Sequence, residues 1–144
     1  MGWDLEDKMT TIGVFANIYD EERRILCVKR AYGPKNWTTP GGRMEAGETP
    51  VLALIREVEE ETGYLVRSGR FVGVNSKPDR DDLVLSIEAE IFGRRPWQSD
   101  DEIAECGFFG LEALPQPMNP NTRVLLVDAF EGKTGVLWVL DSKE

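Results

Sequence analysis

The stretch from Gly42 to Tyr64 constrains this chain more than any other, because it specifies a helix and loads one side of it with like charge. Thr49 is a natural N-cap, Pro50 suits the first helical position, and Gly63 suits the position just past the end. These signals predict a helix over Pro50–Thr62. Val51, Leu54, Ile55 and Val58 form one apolar stripe at helical spacing and are expected to face the core. Glu57, Glu60 and Glu61 lie at i, i+3 and i+4, which sets them side by side next to that stripe. Like charges at such spacing repel by roughly 0.2–0.5 kcal/mol per pair. They also occupy the C-terminal half of the helix, where the backbone dipole favours cations. Arg56 is the single basic residue within the helix. A divalent cation would remove the conflict, since clustered carboxylates are the ligands hard cations prefer. Taken alone, the run Glu57–Glu61 also reads as a solvated helix face, and Gly41-Gly42 as a simple turn.

Composition narrows the chemistry. The chain has no histidine, so the commonest general base is missing and acid–base work must rest mainly on carboxylates. Cys27 and Cys106 read as two reduced core thiols of a cytoplasmic protein, too few for the usual four-ligand zinc site. A net charge of −9 argues against a long nucleic acid as partner. No apolar run approaches the roughly 20 residues of a membrane helix. Asp4, Glu6 and Asp7 near the start, with no apolar segment, argue against a signal peptide, and Glu6 argues against myristoylation after Met1-Gly2.

The length fits one domain over residues 1–144 without repeats or linkers. Thr11–Tyr19 and Ile25–Lys29 read as strands of a hairpin, Trp37–Thr39 as a short strand, and Pro40-Gly41-Gly42 as the loop that ends it. Phe71–Val74 and Leu83–Phe92 read as strands with a turn over Ser76–Asp82 between them. Gly107–Leu111 is a short apolar run, Asn119-Pro120 opens a second helix to about Phe130, and Val136–Leu140 is a last strand. This order suggests a sheet with helices on its faces.

The full segment resembles the Nudix box: Gly, five residues, Glu, seven residues, Arg-Glu, a bulky residue, any residue, Glu-Glu, any residue, Gly, and a bulky residue. Those positions are Gly42, Glu48, Arg56, Glu57, Val58, Glu60, Glu61, Gly63 and Tyr64, with an aromatic residue at the last where an aliphatic one is usual. Seven fixed letters at set spacing arise by chance at about 10⁻⁸ per start position. The resemblance implies an α/β/α sandwich around a mixed sheet, with the box over residues 42–64 as a loop–helix–loop. It implies Mg²⁺- or Mn²⁺-dependent hydrolysis of a nucleoside diphosphate linked to another moiety. It also implies Glu57, Glu60 and Glu61 as metal ligands, with Glu57 orienting or deprotonating water. Arg56 would then fix a neighbouring carboxylate, Glu48 would brace the loop, and Gly41 and Gly42 would let backbone approach the metal, Gly41 through its carbonyl.

Outside the box, Glu105, and after it Glu102, are candidates for a further catalytic carboxylate and equally read as loop acids. Arg30 is a candidate phosphate contact or a surface arginine; Trp37 is a stacking platform or a half-buried structural residue. The stretch Asn75-Ser76-Lys77-Pro78 lacks the Ser-Gln-Pro-Trp-type motif of Nudix NADH pyrophosphatases. Pro78, 15 residues after Gly63, leans slightly toward ADP-ribose or a nucleotide-sugar, and a MutT-like nucleoside triphosphate pyrophosphohydrolase is equally compatible. The expected partner is thus a small nucleotide-type molecule and not a membrane; a homodimer is also open. The competing readings are a Nudix-fold binding or regulatory module without catalysis and an unrelated acidic, cation-binding interaction domain.

Overall fold

The computed structural model describes residues 9–140. The N-terminal acids and the Met1-Gly2 start used above lie outside the described residues. Strands β1 (Thr11–Ile18), β4 (Gly41–Arg43), β5 (Tyr64–Lys77), β6 (Asp82–Arg94) and β8 (Val136–Val139) form a five-stranded sheet in the order β4-β1-β6-β5-β8. The sheet is mixed: β1–β6 and β5–β8 run parallel, while β1–β4 and β5–β6 run antiparallel. Strands β2 (Ile25–Arg30), β3 (Trp37–Thr38) and β7 (Ile103–Phe109) form a second, antiparallel sheet in the order β3-β2-β7. Helix α1 is Pro50–Thr62 and helix α2 is Pro120–Phe130.

Side-chain alternation along β1 assigns the faces. Val14, Ala16 and Ile18 are fully buried and cluster with Leu54 and Val58 of α1. Val14, Ile18, Leu54 and Val58 each contribute about 1.5–3 kcal/mol relative to exposure. The opposite face carries Phe15, Asn17 and Tyr19, and α2 stands over it, with Phe130 edge-on to Tyr19 at 5.1 Å. The sheet therefore lies between the two helices, as the resemblance implies.

Helix α1 has the expected bounds. The Thr49 Oγ1 accepts from the Leu52 amide at 3.2 Å, and Gly63 adopts φ +78. A side chain at Gly63 would meet the Arg95 carbonyl and Trp97, so backbone and neighbour both require glycine there. The buried face is rotated from the expected stripe: Val51 is exposed, whereas Ala53, Leu54, Val58, Glu61 and Thr62 are buried. The rotation brings Glu61 inward to a backbone donor.

Other expectations are corrected. β1 and β2 do not form a hairpin; they meet only at a Tyr19–Ile25 bridge and enter different sheets. Both edges of β1 are already bonded to β4 and β6, so none is left for β2. Gly41-Gly42 is not a loop but the start of β4, paired with Phe15 and Val14. The strand placed at Phe71–Val74 is part of a 14-residue strand that runs on to Lys77. Glu105 is not in a loop but within β7, opposite Lys29.

Candidate active site

Five hydrogen bonds from one guanidinium organise the acidic end of α1. Arg56 donates through Nε and Nη2 to both oxygens of Glu48, at 2.6 and 2.9 Å, in the fork geometry that suits a carboxylate. Its Nη1 donates to Glu57 at 2.6 Å and Glu60 at 3.0 Å, and Nη2 also reaches the Arg43 carbonyl at 3.2 Å. Arg56 thus ties the loop before the helix to the helix itself. Its charge and hydrogen bonds hold the Glu48 carboxyl down at about 2.

Glu57 and Glu61 turn inward instead. Glu61 is 5% exposed, and its Oε1 accepts from the Gly41 amide at 3.0 Å. Burial, chiefly, and the adjacent Glu57 charge push the Glu61 carboxyl up to about 9, against the lowering effect of the Gly41 N–H. Burial also raises Glu57, against the pull of Arg56. Gly42 makes room for Glu57, whose carboxylate a Cβ there would overlap, and Gly41 lets β4 lie close against β1, where a Cβ would overlap the Val14 carbonyl. Two crowded carboxylates, each favouring protonation, with a third one turn away, form an all-oxygen donor set of the type hard divalent cations take. Among the described residues no three acidic or thiol groups already enclose a point. Glu60, with 57% of its side chain exposed, is held outward by Arg56 and would have to turn to join Glu57 and Glu61.

On the other face of the five-stranded sheet lies a cavity of about 330 Å³ beneath the N-terminal half of α2. Four cationic side chains, Arg30, Arg43, Lys77 and Arg80, and one acid, Asp82, line it. That is the reverse of the chain's overall charge and suits an anionic ligand. Arg30 and Trp37, the candidate ligand contacts of the sequence, both line this cavity, but Trp37 is 7% exposed and packs edge-on against Phe109 at 5.1 Å, which makes it a wall and not an open stacking face. Glu105 is placed elsewhere: it pairs with Lys29 at 3.9 Å, has 60% of its side chain exposed, and does not line the cavity. The exposed Glu102 caps the turn before β7, its carbonyl accepting from Ala31 and its amide donating to Asp100. Sequence reading missed Arg43, Asn75 and the Asn17–Ser86 pair. The signal for Asn75 was an amide in the otherwise apolar run Phe71-Val72-Gly73-Val74.

The two regions are joined by three consecutive residues. Gly41 holds Glu61, Gly42 accommodates Glu57, and Arg43 lines the cavity while its carbonyl accepts from Arg56. Arg30 also links them, lining the cavity and lowering the Glu61 carboxyl through its charge.

The NUDIX domain matches this chain over residues 9–137. A Bacillus subtilis protein named "Putative 8-oxo-dGTP diphosphatase" is 33% identical over 128 residues, covering 89% of this chain and 85% of that protein. An ADP-ribose pyrophosphatase of Methanocaldococcus jannaschii is 36% identical over 105 residues, covering 69% of this chain but only 62% of that protein's length. Among solved structures, a NUDIX hydrolase from Nitrosomonas europaea has the same fold, with a TM-score of 0.78, 23% identity, and coverage of 92% of this chain and 79% of that one.

Proposed function

From membership in the NUDIX domain family, to which this chain belongs, we propose that it hydrolyses the diphosphate bond of a small nucleotide with Mg²⁺ or Mn²⁺ held by Glu57, Glu60 and Glu61. The chain is a Nudix hydrolase, a diphosphatase of nucleotide-type substrates, and divalent metals are general in that family. The finer reading rests on one observation: Gly41, Gly42 and Arg43 put the inward carboxylates next to a cationic cavity.

A bound divalent cation would offset phosphate charge and lower the pKa of water. The chain's own residues do the rest. Arg30 and Arg43 bind phosphate oxygens at the cavity mouth, and the cavity takes the organic group. Glu57 receives the proton of the attacking water, whose oxygen bonds to phosphorus as the bridging P–O bond breaks and the bridging oxygen leaves with the other phosphate. Attack in line with the leaving oxygen needs positioning above all, and Arg56 supplies it by fixing the Glu57 rotamer. The Gly41 carbonyl is a further candidate ligand.

A nucleoside triphosphate, oxidised ones included, and ADP-ribose are the substrate classes named for the two relatives described above. Cys27 and Cys106 are free thiols, and no helix among the described residues is long and apolar enough to cross a membrane. The test is turnover of both classes with Mg²⁺ or Mn²⁺, followed by chromatography, beside a Glu57→Gln variant. Metal-dependent release of a nucleoside monophosphate from one class, lost in the variant, supports the assignment. Binding without turnover in either metal would refute it in favour of a nucleotide-binding module.

A further inference from the structure

Asn75 is fully buried in β5, and neither its Oδ1 nor its Nδ2 has a hydrogen-bond partner among the described residues. Leaving such groups unpaired costs about 1–3 kcal/mol each. Native proteins rarely do so without a reason in a ligand or a function. The register fixes where this amide points. Asn75 stands opposite Val84 on β6, directly opposed residues share a face, and both line the cavity. Two further polar residues of the same floor, Asn17 and Ser86, satisfy one another at 2.7 Å. The floor therefore holds one closed polar pair and one open amide.

We propose that Asn75 is a specificity-determining residue, whose amide hydrogen-bonds the edge of a nucleobase seated in the cavity. This rests on the reading that the cavity takes the organic group of the substrate. The chemistry selects the class. A carboxamide presents an acceptor and a donor side by side in one plane. Nucleobase edges present the complementary donor and acceptor in one plane as well. A phosphate offers acceptors only and would leave Oδ1 unpaired. The cationic side chains at the mouth meet phosphate instead, so the ligand enters base first and leaves its charge outside. The volume of about 330 Å³ is at the lower end of small-molecule sites and suits a ring with its sugar.

The test is equilibrium binding of the four common nucleoside monophosphates and ribose 5-phosphate to wild type, Asn75→Leu and Asn75→Asp. These ligands carry no diphosphate bond, so the result is independent of whether the chain hydrolyses one. Wild type should bind at least one nucleotide about 10-fold or more tighter than ribose 5-phosphate. Asn75→Leu should weaken that nucleotide roughly 10- to 100-fold, leave ribose 5-phosphate within about 2-fold, and melt higher without ligand, because two unpaired polar groups are gone. Asn75→Asp should shift preference toward guanine, whose N1–H and N2–H₂ donate side by side to a carboxylate. Equal weakening of nucleotide and ribose 5-phosphate, or a lowered melting temperature for Asn75→Leu, would make Asn75 structural and overturn the proposal. So would the absence of any base preference in wild type. Failure of the turnover assay alone would sink the hydrolase reading and leave this one standing.

Discussion

The acidic end of α1 and the floor of the cavity both hold polar groups away from bulk water, but they are provisioned in opposite ways. At α1 one guanidinium serves three carboxylates and a carbonyl, and a backbone amide serves a fourth carboxylate. At the cavity floor Asn75 has no partner among the described residues. The first region is arranged by the protein in advance, which is what positioning a reactive group requires. The second is left incomplete, which is what discriminating among ligands requires, because an unpaired buried group penalises any ligand that fails to complete it.

Breaking the arranged region should give the largest effects. Glu57→Gln is expected to lower metal-dependent turnover roughly 10³-fold with the fold intact by circular dichroism. Gly42→Ala should cost roughly 10²-fold in kcat, because its methyl group displaces the end of Glu57, while stability changes little. Gly41→Ala separates backbone from side chain. Its methyl group meets the Val14 carbonyl and Phe15 backbone, so urea melts should show a loss of about 2 kcal/mol. Equal stability of the two glycine variants would contradict the packing described for β4. Sharpening the comparison from the other side, Arg30→Ala should raise KM roughly 10-fold with kcat nearly kept, and steady-state kinetics in rising salt should shrink that difference. A kcat loss instead would move Arg30 into the reacting group.

The smallest effect is at acid pH. Glu48 has a folded pKa of about 2, depressed from the ordinary 4.5 by Arg56. A depressed carboxyl contributes stability that is present above the unfolded pKa and lost as pH falls through the folded one. Wild type should therefore exceed Glu48→Gln in stability at neutral pH, and denaturant melts between pH 4.5 and about 2 should show the gap closing.

How legible these regions were follows from how local their causes are. Helix α1 was readable because Thr49, Pro50 and Gly63 act within a turn of where they stand, and the box spacing picked out Glu57 and Glu61. The direction in which each glutamate turns was not readable. It depends on Gly41, 20 residues from Glu61, whose amide draws that carboxylate inward. The β1–β2 hairpin expectation fails because strand choice is settled by which edges are already taken, and β6, whose residues pair with β1 from 71 positions along, takes one edge of β1. Arg30 is legible as a candidate because it ends a strand, whereas Arg43 sits in a variable position of the box. Asn75 escapes a reading that ends the strand at Val74, whereas the strand runs on to Lys77.

Strand β4 carries a mechanical consequence. Its three residues span the whole separation between the carboxylates and the cavity, and the ladder to β1 fixes them in place. The interval is a ruler with no hinge in it. Under the function proposed above, a ligand would be gauged between its two ends: a longer phosphate chain would protrude past one end, and a bulkier ring would ride up at the other. Tolerance would then belong to the ends of a substrate, and the span between ring and scissile bond would be the quantity the strand sets.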